Sequence, residues 1–349
     1  MTNTMNHPGL MAVPRSRTMA AVLASYGFDA SVTVANCNFG GSFGRRLPEV
    51  KPDMTRDKIA DILAQREAMP DMIRASVREA ATALGLEIPD NGIPRLTSVG
   101  FYPELHNLPK EDLVQVVGAP GYWNDDNPTR PCLAVVVPPE ENLDLDLMMP
   151  FADAPPQAIV VPVRMPDGSI RVIKAMTMST YHFMWGEHEI VRLTARKIEE
   201  VARAYGAEII PDAIWGFTGP GASEHFDFNG RVRNEFRAID PEAFEAFTTF
   251  DPDNQDLFPE GHKRYDPVNG YHQLNLRGLA AYRLQQVTLG GHRIPAHHLG
   301  ELAHNTKVAL GCYTSKRELL GDQNLAASGR RLPSNAMFLV VRKRLVAAG

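Results

Sequence analysis

The chain has 349 residues, of which 44% are hydrophobic and 22% charged, with a formal net charge of -5. That balance suits a globular protein with room for one large domain or two ordinary ones. A pI near 6.1 gives no electrostatic case for nucleic acid or an anionic membrane as a partner, and no apolar run approaches the roughly 20 residues that a membrane-spanning helix needs. Cys37, Cys132 and Cys312 are odd in number and far apart. They predict reduced thiols in a cytoplasmic protein, not a disulfide framework or a C-x-x-C metal site.

Residues 1–18 are polar, carry Pro8 and Pro14, and read as a flexible arm. Arg15 and Arg17 precede the apolar Met19–Ala24, a run too short for a signal peptide and soon followed by Asp29. Ser31–Cys37 alternates as a strand does. Thr55–Ala68 and Asp71–Gly85 read as a helical pair broken at Pro70. Ile93–Tyr102, Leu113–Gly118 and the apolar LAVVV within Pro131–Pro138 read as strands. Pro139–Pro156, rich in acids and prolines, reads as an irregular linker or lid. Ala158–Val163 and Ser169–Met178 predict a hairpin around Pro166-Asp167-Gly168. After the aromatic loop YHFMWGEH comes the strongest helix, Glu189–Tyr205, with Ile190, Leu193, Ile198 and Val201 on one face.

The stretch Ala213–Phe247 reads as a strand, a turn at Gly219-Pro220-Gly221, and two short helices. Asp240-Pro241 starts the second of these with a capping residue and a proline in the first turn. Thr249–Gly270 is polar and reads as an insertion. Leu274–Leu289 predicts a further helix ended by Gly290-Gly291, and Val308–Thr314 and Ala336–Val341 predict strands. The expected fold is α+β: a layered mixed β-sheet core with helices packed outside. The domain limits expected are a single large domain over 19–349, with insertions near 139–156 and 249–270; two domains are the alternative.

Several spaced motifs in the C-terminal third resemble the laccase-domain family, the YfiH-type or polyphenol-oxidase-like proteins. The segment from Gly219-Pro220 through RVRNEFRAIDPEAFEAF is similar to that family's G-P segment and helix pair. YHQLNLRGLAAYRLQQVTLGG (Tyr271–Gly291) is similar to its helix leading to a glycine. Cys312-Tyr313-Thr314 resembles its C-T-Y strand, and Ser328-Gly329-Arg330-Arg331 its S-Y-R-R turn. The resemblance spans about residues 30–343 and implies a zinc held by His, Cys and His, with phosphorolysis or deamination of purine nucleosides. At the positions matched to those ligands stand Val117, Ala154 and Met176. None of these side chains replaces imidazole or thiolate on zinc, so the resemblance implies a divergent member without the usual metal. No cofactor is expected, and zinc only if its ligands have moved.

His182, Glu187 and His188 lie in the aromatic loop and would be the relocated ligand set, or else polar tips of a loop covering the core. His225, with Glu224 and Asp227, is the candidate acid/base, since imidazole titrates near neutrality and a carboxylate can orient it; the plain alternative is a helix-capping turn. Arg330 and Arg331 would clamp a phosphate or carboxylate. Tyr181 and Trp185 would stack on a planar substrate. His297, Glu301 and His304 would share one face of a surface helix, and Cys312 reads as a buried strand residue.

The expectation is therefore a small-molecule enzyme, repurposed from this scaffold and acting at a C–N bond of a nitrogen-containing or nucleoside-like substrate in specialised metabolism. His225, His182 and Glu187 would be catalytic, and Arg330, Arg331, Trp185 and Tyr181 would bind substrate. A non-catalytic ligand- or partner-binding relative, and a purine nucleoside phosphorylase or deaminase with relocated zinc, are the alternatives. A homodimer is the open oligomeric expectation.

Overall fold

Apolar residues at both odd and even positions of successive strands dictate a sheet buried on both faces. A computed structural model describes residues 17–37, 55–57, 59–60, 97–98, 114–116, 134–139, 147–151, 155–177, 189–219, 226–228, 230–251, 271–301 and 334–344. In chain order these begin with helix α1 (Arg17–Ser25) and strands β1 (Phe28–Cys37), β2 (Thr97–Ser98), β3 (Val114–Val116), β4 (Ala134–Val137), β5 (Leu147–Phe151), β6 (Gln157–Arg164) and β7 (Ile170–Thr177). There follow α2 (Ile190–Ala204), β8 (Glu208–Ile209), β9 (Trp215–Thr218), β10 (Phe226–Phe228), α3 (Gly230–Ile239), α4 (Pro241–Phe247), β11 (Thr248–Asp251), β12 (Tyr271–Leu274) and α5 (Leu276–Gln285). The last are β13 (Thr288–Leu289), β14 (His292–Arg293), β15 (Leu299–Glu301) and β16 (Ser334–Lys343).

The central sheet runs β15-β9-β6-β7-β4-β3, with β8 on the end of β6. It is mixed, because β15 lies parallel to β9 while its other pairs are antiparallel. Its side chains divide by parity, as the two-residue period of a strand requires. Ala134, Val136, Ile159, Val161, Ile173 and Ala175 face a core shared with α2 and α5. Val135, Ala158, Val160, Val172 and Met176 face the opposite way, onto a second core with α1, β1 and β16. On that side a second sheet runs β1-β16-β5-β2, and α1 buries Met19 and Leu23 against it. The α+β architecture of helices on a layered mixed sheet is as the sequence predicts. Among the described residues no helix is long and apolar enough to cross a membrane.

Local chemistry sets the element ends. The β6–β7 turn closes through the Gly168 amide to the Met165 carbonyl at 2.9 Å, with Gly168 at φ +81°. The Asp167 carboxylate accepts from the Ser169 amide at 2.8 Å, and its bonds to Ser169 hold its pKa below the ordinary value. Helix α2 ends as expected at Gly206, whose φ of +61° suits glycine. Asp240 caps α4 by accepting from the Ala243 amide at 3.0 Å, with Pro241 at the first position.

Three expectations differ from the structure. Within the segment 139–156, Leu147–Phe151 is a strand, and it pairs with β16 on one side and β2 on the other. The helix expected over Leu274–Leu289 is shorter. Leu274 belongs to β12, Asn275 starts α5 by accepting from the Gly278 amide at 2.8 Å, and Gly290-Gly291 turns the hairpin β13–β14. The helix expected over His297–His304 is, as far as it is described, a 3-10 turn at Ala296–His298 followed by β15. Parallel pairing with β9 there outweighs the local helical pattern. The predicted elements within 61–96 and 308–314 lie outside the described residues.

Pairing of β15 on β9 brings Gly300 against the buried Phe217 ring; a Cβ on Gly300 would sit 2.6 Å from Phe217 Cδ1. That aromatic carbon cannot retreat without moving the core, so Gly300→Ala is expected to lower stability by about 1–3 kcal/mol. Urea unfolding measures this, and an unchanged midpoint would show that the strand relaxes.

Candidate functional site

The described residues line a half-open polar cavity of about 400 Å³ along the first half of α2, with the end of α5 and the start of β13 on its other side. Glu189 lies in its wall, and its structural origin is simple. The first amides of a helix have no partner inside it, and Glu189 supplies one. Its two oxygens accept from the Val191 amide at 2.6 Å and the Arg192 amide at 2.9 Å. The side chain is buried, and burial pushes its pKa up to about 7, against the opposing pull of those two amides and of the Arg283 and Arg192 guanidiniums.

Arg283 reaches the same cavity from α5. It is 4% exposed and donates to Asp240 Oδ2 at 2.7 Å and to Gln286 Oε1 at 3.3 Å. Asp240 is the α4 cap, so Arg283 joins two helix starts: it bonds one capping carboxylate directly and lies within electrostatic reach of the other. Arg192 and Arg196, one turn apart on α2, complete the cationic lining. Glu199 is the second carboxylate there, and it accepts from the Gly290 amide at 2.8 Å.

A second polar feature sits at the β9–β15 edge. His298 is buried, stacks on Trp215 with ring centroids 3.8 Å apart, and places Nδ1 2.9 Å from the Ile214 carbonyl. A carbonyl only accepts, so Nδ1 carries the proton and Nε2 holds the lone pair. Burial lowers the His298 pKa, which keeps this neutral tautomer at pH 7. The spacing of HHLGELAH predicts a surface helix, which assigns His298 no role. Lys174 is another residue with no sequence signal: it is fully buried on β7, with Nζ 3.4 Å from the Val341 carbonyl between the two sheets.

The residues singled out from the sequence fall differently. His225, His182, Glu187, His188, Trp185, Tyr181, Arg330 and Arg331 all lie outside the described residues, as do Cys312, His304 and the tip of the Gly219–Gly221 turn. The segment Tyr181–His188 directly precedes Glu189 in the sequence. Of the three positions matched to zinc ligands, Met176 is described. It is fully buried, in the apolar layer with Val135, Ala158, Phe217 and Met337. A thioether in that layer does not fit a zinc site, and Val117 and Ala154 lie outside the described residues. Among the described residues no group of three or more His, Cys, Asp or Glu is placed to hold a metal ion.

No family model matches the chain, and no curated protein does. Among solved structures it is similar to the hypothetical protein YfiH of Bacillus licheniformis, with 12% identity, coverage of 90% of this chain and 92% of that one, and a TM-score of 0.44. It is also similar to the Neisseria meningitidis DUF152 protein NMB0706, with 12% identity, coverage of 95% and 99%, and a TM-score of 0.45. YlmD from Geobacillus stearothermophilus gives 16% identity, coverage of 90% and 92%, and a TM-score of 0.40. At such scores neither a site nor an activity follows from the likeness.

Two outcomes follow from the cap geometry. Asp240→Asn keeps a capping oxygen but removes the charge facing buried Arg283, and is expected to cost about 2–4 kcal/mol. Asp240→Ala loses the cap as well, at about 1 kcal/mol more. Urea melts of both variants separate the two contributions; equal losses would mean that the cap contributes nothing.

For Glu189 the folded pKa of about 7 lies above the ordinary carboxylate value. The folded state therefore binds the proton more tightly than the unfolded chain. The stability this adds is complete below the ordinary value and is lost as pH rises through about 7. Glu189→Gln does not titrate, so the stability of the natural chain relative to this variant should fall by on the order of 1–3 kcal/mol between roughly pH 5 and pH 8. Parallel pH profiles of the two chains would instead mean that Glu189 stays ionised throughout.

Proposed function

We propose that the chain is a small-molecule enzyme on a laccase-domain-like scaffold, acting on a nitrogen-containing or nucleoside-like substrate without the His/Cys/His zinc set. The observation that carries this reading is the cavity at the start of α2. Its volume of about 400 Å³ falls in the range of small-molecule pockets, and its wall holds a carboxyl poised near neutrality, the range in which acid/base groups work. In this reading Tyr181 and Trp185 stack on the base, and His182 and Glu187 take part in proton transfer. His225 is the acid/base in this reading, Arg330 and Arg331 bind substrate oxyanions, and the bond exchanged is C–N. The burial of Met176 in an apolar layer supports a mechanism without the family's metal, and the unpaired cysteine count supports a cytoplasmic setting.

One observation favours a second reading, a non-catalytic binding protein. Both Glu189 oxygens are engaged by backbone amides, so the cavity's own carboxyl is a cap before it is a base.

Elemental analysis of untagged protein, followed by incubation with adenosine or inosine with and without phosphate, tests the reading. The expected result is well under one metal per chain and release of the free base or a deaminated nucleoside. His225→Ala should lower turnover about 100-fold or more without lowering the melting temperature. One zinc per chain with phosphorolysis would replace this reading by a zinc enzyme with relocated ligands. Nucleoside binding without turnover would leave the binding protein.

A further inference from the structure

The two carboxylates of the α2 cavity are already bonded to backbone amides: Glu189 to Val191 and Arg192, and Glu199 to Gly290. Of its cations, one is matched and two are not. Arg283 is held by Asp240 at 2.7 Å, and on the solvent side of α2 Lys197 is paired with Glu200 at 2.6 Å. Arg192 and Arg196 line the cavity, are exposed, and make no side-chain hydrogen bond or close ion pair among the described residues. Residues four apart on a helix have Cβ atoms about 5–6 Å apart, and like charges at that spacing repel. An anion between the two guanidiniums would relieve that repulsion and meet two planar donor forks.

The form of the ligand follows from charge and size. Arg283 is matched by Asp240 and both cavity carboxylates are bonded to amides, so Arg192 and Arg196 are the groups left to meet a ligand, and their two guanidinium forks suit the several oxygens of a phosphate monoester. A cavity of about 400 Å³ is on the scale of an organic ligand and not of a single ion. Ala195 and Val287 provide apolar wall, and Gln286 and Thr288 provide polar contacts beside it.

We propose that this cavity binds the phosphate monoester of a small organic molecule, with the phosphate between Arg192 and Arg196 and the organic body against Ala195 and Val287. This rests on the reading of the cavity as the small-molecule site, and it adds the charge class that the site selects.

Isothermal titration of the full chain with adenosine 5′-monophosphate, adenosine and inorganic phosphate tests it. The monophosphate should bind saturably, adenosine at least about tenfold more weakly, and inorganic phosphate should compete with the monophosphate at higher concentration. Affinity for the monophosphate should fall as salt is raised. Arg192→Ala/Arg196→Ala should lose at least about tenfold in affinity for the monophosphate. Should that double variant unfold, Arg196→Gln alone decides, because its side chain is exposed. Equal binding of monophosphate and adenosine, no monophosphate binding at millimolar concentration, or indifference to Arg196→Gln would each overturn the proposal. Inorganic phosphate binding as tightly as the monophosphate would overturn it too, in favour of a free-ion site. Nucleoside turnover without monophosphate binding would remove this inference and leave the enzyme reading standing; monophosphate binding without nucleoside turnover would do the reverse.

Discussion

A buried guanidinium cannot stand without a counter-charge, and Arg283 is 4% exposed. Its partner at 2.7 Å is Asp240, which also caps α4, and close by is Glu189, which caps α2. One cation thus organises the two carboxylates that begin two helices. Removing Asp240 leaves the buried Arg283 charge without its direct partner. Helix α2 packs over β4 and β7 and α5 over β9, so these charged groups lie at the edge of the helical layer whose apolar faces cover the sheet. The cavity is the space left beside them.

The sheet explains why so much burial is needed. Strands β4, β6 and β7 are covered on both faces, by helices on one side and by the β1–β16 sheet on the other. Two-sided cover turns the usual alternation of polar and apolar residues into continuous apolar runs, and LAVVV and QAIVVPVR show this in the sequence. A polar residue in such a strand has no solvent face to take. Lys174 lies between the sheets for that reason, on the same parity as Val172 and Met176, and its stem lies along apolar surface.

Features set by local chemistry were legible in the sequence. The Pro166-Asp167-Gly168 turn, the Asp240-Pro241 start and the Gly206 stop each depend on residues within a few positions of one another, and each is found. Features set by distant pairing were not. Arg283 and Asp240 are 43 apart in sequence, and an arginine on a helix gives no sign of being buried. The run HHLGELAH has helical spacing, but strand pairing with Leu299–Glu301 against Gly216–Thr218 overrides it. The Trp215–His298 stack is a product of that pairing. For the site, the sequence marks Glu189 only as the start of a helix. The signal for more was present in the spacing, because Arg192 and Arg196 follow at i+3 and i+7 and so share its face of α2.

That shared face couples the cap to the cavity. With Glu189 ionised, its charge offsets part of the field of Arg192, Arg196 and Arg283; with Glu189 protonated, the cavity is more cationic by one charge. Its pKa of about 7 places both forms within reach of neutral pH. An anion seated on Arg192 and Arg196 would bring a negative charge towards a buried carboxylate and favour its protonated form. By linkage, protonation of Glu189 must then strengthen the binding of any anion there by the same factor. The group that starts the longest described helix is therefore also the one that sets the charge of the pocket beside it. Through that proton the stability of the chain and its affinity for the proposed anion would be linked.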